Sequence, residues 1–276
     1  MCVRNFCSGI RKGARDRSDL WNFDDPFILS GARERVRRAA TSKDALCIIA
    51  AISSGVTELR AKSAGVSKNG FRRSGQQTFG LSPADVRTLR ALKTPARIQR
   101  FIDELTYQYA NTAWSPQRVL RERKGHCMEG ALVAAAALRV NGHPPLLMDL
   151  EGVHDDDHVV ALYREHGLWG GIAKSNFAGL RFRAPVYRTL RELAMSYFEH
   201  YYNLRGERTL RSWSRAVNLK RLDSEHWMTS EEDVWCVPEL LIATPHYPLF
   251  PDKVARTLPR LDRRSFEAGM HGWVKH

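Results

Sequence analysis

The run C-M-E-G-A-L-V-A-A-A-A-L-R-V, residues 127–140, constrains the fold more than any other stretch of this chain. Alanine and leucine are strong helix formers, and the run is apolar on most sides of a 3.6-residue period. Such a helix has little face to give to water, so it belongs at the centre of a core with other elements packed around it. Asn141-Gly142 follows, a pair that tolerates the left-handed backbone closing many helices. Cys127 therefore falls in the first turn of a buried central helix.

Partners for that helix flank it on both sides. Upstream, Ser82-Pro83, Thr94-Pro95 and Ser115-Pro116 each place a hydroxyl residue before a proline, as helix starts require. Leu89, Ile98, Phe101, Ile102, Leu105 and Val119 follow at helical spacing. Downstream, residues 144–150, 158–165 and 168–174 read as strands. The last two meet at the tight turn His166-Gly167, which predicts an antiparallel hairpin. Val186, Leu190, Leu193, Tyr197 and Tyr201 predict a long amphipathic helix over 185–203, and the remainder wraps the core less regularly. Helices, then a small antiparallel sheet, then helices define an α+β class. The expected division is a basic, weakly ordered segment over 1–80, a domain over 81–250 and an extension over 251–276.

Charge sharpens this division. The net charge is +13, and residues 1–80 hold 15 Lys/Arg against 7 Asp/Glu. A basic arm can touch nucleic acid, yet stacking positions and a recognisable binding motif are missing, so a solvated tail is the expectation. No apolar stretch approaches the ~20 residues that cross a bilayer, and a cytoplasmic protein is expected. The five cysteines are scattered, with no C-x-x-C pair, which argues against a zinc ribbon or a disulfide framework.

Three residues in order could carry nucleophilic chemistry. Cys127 at a helix N-terminus has the dipole and backbone N–H groups that favour a thiolate and could hold an oxyanion. His158 opens a strand behind Asp155, Asp156 and Asp157 and could act as base. Asn176, just past the next strand, could orient the imidazole. His154 and His158 around three carboxylates also compose a metal-binding alternative, but loop followed by strand does not guarantee that geometry, so neither metal nor cofactor is expected. Arg181 and Arg183 read as a solvated strand face, and Glu199 to Tyr202 as the margin of a packed helix.

G-H-C-M-E-G-A-L-V-A-A-A-A-L, then D-D-D-H-V-V-A-L-Y, then L-W-G-G-I-A-K-S-N, together resemble the transglutaminase-like superfamily, relatives of papain-like thiol enzymes. The resemblance covers roughly residues 81–235. It implies Cys127 as nucleophile, His158 as general base, and an Asp or Asn on the next strand. Ala173 stands where W-x-x-x-D would place an aspartate after Trp169, so Asn176 is the substitute it implies. The expected activity is hydrolysis or acyl transfer on a peptide or protein amide through a thioester on Cys127. The other expectation is a catalytically silent module that holds a peptide in the same cleft.

Overall fold

The computed structural model describes residues 78–274. The expectation for the basic segment 1–80 therefore lies almost wholly outside the described residues.

Each Ser/Thr-Pro signal starts a helix. Ser82, Thr94 and Ser115 accept a backbone N–H at the heads of α1 (Pro83–Ala91), α2 (Pro95–Asp103) and α3 (Pro116–Glu122). These pack around α4 (Cys127–Val140), in which every residue from Cys127 to Leu138 is buried. Gly142 takes the left-handed backbone just beyond its end, at φ +92°. The Asn141 amide donates to the carbonyls of Leu89 and Leu92 at 3.0 and 3.3 Å, tying the end of α1 to the end of α4. A short parallel pair, β1 (Thr106–Tyr107) and β2 (Lys124–Gly125), brings the chain to the head of α4.

The sheet is larger than its sequence suggests. β3 (Leu146–Gly152), β4 (His158–Glu165) and β5 (Leu168–Ile172) are joined by β6 (Arg183–Tyr187), β7 (Leu210–Ser214), β8 (Val217–Asn218) and β9 (His246–Pro248). The order is β6-β5-β4-β3-β7-β9, with β8 also on β3, and every pairing is antiparallel. The hairpin expected over 158–174 is present, with Ala161 opposite Ile172. Helices on a mostly antiparallel sheet make the chain α+β.

The helix predicted over 185–203 does not form as one element. Residues 183–187 are the edge strand β6, where Pro185 is tolerated because an edge has one side without ladder bonds to make. Thr189 then caps a shorter helix, α5 (Leu190–Met195), and a 3₁₀ turn follows over Phe198–His200. Val186, expected on the buried face, is 62% exposed. Beyond β7 come α6 (Cys236–Ala243), α7 (Asp252–Ala255) and α8 (Arg263–Gly269).

The sheet separates two cores. On one face, Leu147, Val159, Ala161, Tyr163 and Ile172 pack against α4 and its surrounding helices. On the other, Met148, Leu150, Val160 and Leu162 pack against Leu193, Tyr197 and Tyr201. The alternation along β4 decides which face each functional side chain joins.

Candidate active site

Cys127 is the first residue of α4, and the cap that precedes it is unusual. His126 is the N-cap: its Nδ1 accepts the Met128 N–H at 3.2 Å, and its Nε2–H donates to the Thr112 carbonyl at 3.0 Å. Glu129 completes a capping box by accepting the His126 backbone N–H on Oε2 at 2.9 Å. Its other oxygen accepts from the Thr112 hydroxyl at 2.7 Å and the Trp114 N–H at 3.2 Å. The carboxylate is fully buried yet surrounded by donors, as a buried charge requires. The segment Thr112–Trp114 thus clasps the head of the helix.

The Cys127 Sγ lies 3.9 Å from His126 Nδ1 and 3.8 Å from the Asp157 carbonyl, to which the thiol donates. Burial pushes the thiol up to about 12; the Val159 N–H opposes that shift, and Asp156, Glu129 and Asp149 reinforce it. At neutral pH the resting group is therefore a protonated thiol. Of the helix-start N–H groups expected to hold an oxyanion, that of Met128 is taken by His126 Nδ1 and that of Gly130 by the His126 carbonyl.

The expected trio is not assembled. Sγ touches the main chain on both sides of His158, at Asp157 and Val159, while the His158 ring projects to the opposite face. Its cross-strand neighbour Leu150 belongs to the tyrosine-lined core, and the ring sits edge-on to Tyr197 and Tyr201 at 6.2 and 6.3 Å. The Nε2–H donates to the Leu180 carbonyl at 2.8 Å. Burial pushes the imidazole down to about 4, partly offset by that carbonyl, so His158 is neutral at pH 7. The chain beyond β5 does run back toward the head of β4, as expected of Asn176. Its amide instead bonds to Tyr109 Oη at 2.5 Å and to the main chain of Val274.

The H-D-D-D-H loop is likewise committed elsewhere. Asp155 accepts from the Thr209 hydroxyl at 2.5 Å, and Asp157 from the Gly152 N–H at 3.0 Å. Among the described residues no three His, Cys, Asp or Glu side chains converge as metal ligands. A cavity of about 290 Å³ beside this loop is lined by His154, Arg208, Arg211 and Arg260 but by no residue of the Cys127 cluster. Arg183 is no solvated strand residue: it donates to Gly179 O and Ser196 O and stacks 4.0 Å over Tyr197. Tyr201, expected on the apolar face with Leu193 and Tyr197, is buried and donates to Leu150 O and Asp156 O at 3.1 and 2.6 Å.

His126 and Glu129 are the site residues missed in the sequence. The signal was H-x-x-E across the helix start, a capping box with histidine in place of Ser or Thr. No helix among the described residues is long and apolar enough to cross a membrane. The chain matches no protein-family model and no curated protein.

Proposed function

We propose that this domain is a cysteine-dependent amide hydrolase or acyltransferase of the transglutaminase-like, papain-like type, with His126 rather than His158 as the proton acceptor for Cys127. The observation that carries the reading is the double provision for His126 Nδ1. Unprotonated, it accepts the Met128 N–H; protonated, it can donate to Glu129 Oε2, 3.1 Å away. The Nε2–H stays on the Thr112 carbonyl in both states, which fixes the tautomer; Nδ1 lies 3.9 Å from Sγ and takes the thiol proton on the lone pair that the Met128 N–H then gives up.

The chemistry follows from those positions. As Sγ attacks the amide carbon, the thiol proton passes to His126 Nδ1, the C–S bond forms and the carbonyl electrons move to oxygen. Collapse of the tetrahedral adduct breaks the C–N bond, and the departing amine takes the proton from Nδ1. Water or an amine then attacks the thioester and gives its proton to Nδ1; collapse breaks the C–S bond, and the departing sulfur takes that proton back to restore the thiol. The positive end of α4 favours the negative charge that develops beside Sγ. A thiol held near 12 requires the base to act during attack, because no standing thiolate is available.

A second reading, a silent peptide-holding module, is favoured by the orientation of His158 and by the raised thiol. Incubation with p-nitrophenyl acetate followed by peptide mass spectrometry separates the two. Acetyl on Cys127, absent from Cys127→Ser, supports the enzyme; an unmodified Cys127 beside ordinary lysine acetylation contradicts it.

A further inference from the structure

We propose that Asn176 and Tyr109 form a clamp that reads the main chain of an extended peptide, and that the segment 270–274 of this chain occupies it. Asn176 Oδ1 accepts the Val274 N–H at 2.9 Å, and Asn176 Nδ2 donates to the Val274 carbonyl at 2.9 Å. The Tyr109 hydroxyl donates to that same carbonyl. Both polar groups of one residue's backbone are thus held by side chains from two distant parts of the fold. Asn176 is 9% exposed, whereas the Val274 side chain is 55% exposed. A site that buries its own amide and leaves the ligand's side chain in water recognises peptide backbone rather than sequence, as strand-adding peptide sites do.

The clamp adjoins the thiol. Tyr109 packs edge-on against Tyr107 with ring centroids 5.1 Å apart. Tyr107 pairs with Gly125, two residues before Cys127. Asn176 follows Lys174, whose side chain lies so close over Gly130 in the first turn of α4 that a Cβ there would overlap it. Both clamp residues thus stand on segments that touch the head of the central helix. The occupying segment is delivered by α8, where Gly269 lets the helix close on Tyr202 and Phe266 packs 5.5 Å from the Tyr202 ring. While it sits there, an acyl donor must compete with it.

The catalytic use of the clamp rests on the thiol chemistry proposed above; its capacity to hold a peptide does not. The test uses the full chain with Val274→Pro, which removes the N–H that Asn176 accepts and leaves the clamp untouched. The probe is a fluorescein-labelled peptide of sequence Met-His-Gly-Trp-Val-Lys-His, followed by anisotropy. Loss of the intramolecular competitor should tighten its binding about tenfold or more. Adding Asn176→Ala should abolish that gain, and Asn176→Asp, which keeps one acceptor, should retain part of it. All three measurements are repeated in Cys127→Ser, where the clamp must behave identically even if thiol chemistry fails. Equal binding with and without Val274→Pro, or a gain that survives Asn176→Ala, overturns the proposal.

Discussion

The two faces of the sheet each bury a histidine beside β4, and they treat it in opposite ways. On the helix face, His126 is enclosed by groups that can serve it in either protonation state: an N–H, a carboxylate and a carbonyl. On the tyrosine face, His158 has one carbonyl and two aromatic edges, so only its neutral form is at home. In the mechanism proposed above the first arrangement serves proton transfer, whereas the second is a packing residue with a hydrogen bond. A histidine next to a cysteine in space therefore matters less than what awaits its second proton.

The largest contrast should appear in stability. Glu129→Ala strips a fully buried acceptor from Thr112, Trp114 and His126 and should cost about 3–5 kcal/mol in urea unfolding. His158→Phe, which trades one hydrogen bond for apolar contact with Tyr197 and Tyr201, should cost less than about 2 kcal/mol. Equal losses would mean that the two faces are not built differently.

Acid should expose the tyrosine face next. The folded His158 value, about 4, lies below the ordinary 6.5, so the unfolded chain binds its proton first as pH falls. Stability should drop between about pH 6.5 and 4, by at most about 3 kcal/mol from this group, and His158→Phe should flatten that slope. His246 supplies the opposite sign. Asp149 accepts from its Nε2–H at 3.1 Å and holds the imidazole up against the opposing effect of burial. Its stabilisation is complete below pH 6.5 and is lost as pH rises through the folded value, a smaller effect that Asp149→Asn should erase.

Packing at the junction of clamp and helix gives a comparable test. Gly130→Ala drives a methyl into Lys174 and should cost about 1–3 kcal/mol, read from the shift in the urea midpoint. Ala131→Gly, one residue along, leaves no overlap and should cost about 1 kcal/mol from backbone entropy. The smallest expected signal is chemical. Iodoacetamide labelling of Cys127 should be slow at neutral pH and keep rising past pH 10 without levelling, since burial holds the thiol near 12. A plateau near pH 8.5 would show an ordinary, accessible thiol.

Much of the frame was legible because its signals are local. The alanine-rich run, the hydroxyl-proline starts and the His166-Gly167 turn each specify their own backbone. The face taken by His158 was not, because β4 is apolar on both sides: Val159, Ala161 and Tyr163 look like Val160 and Leu162 in a one-dimensional pattern. A strand buried on both faces carries no hydrophobic marker of which way its first residue turns. The broken helix over 185–203 failed for a related reason, since alternating edge-strand residues around Pro185 can also satisfy a helical count over one turn. Asn176 lies four residues beyond Ile172, where the pairing of β5 with β4 ends, but its partner Val274 lies 98 residues away, beyond any local signal.

The most direct test is the single-turnover acylation of Cys127 by p-nitrophenyl acetate at pH 7.5, comparing His126→Ala with His158→Ala. General-base assistance is worth about 10²–10⁴-fold, so His126→Ala should slow acylation by at least about a hundredfold, while His158→Ala stays within about threefold. If His158→Ala is the variant that abolishes acylation and His126→Ala is nearly silent, the assignment of the proton acceptor to the helix face is wrong.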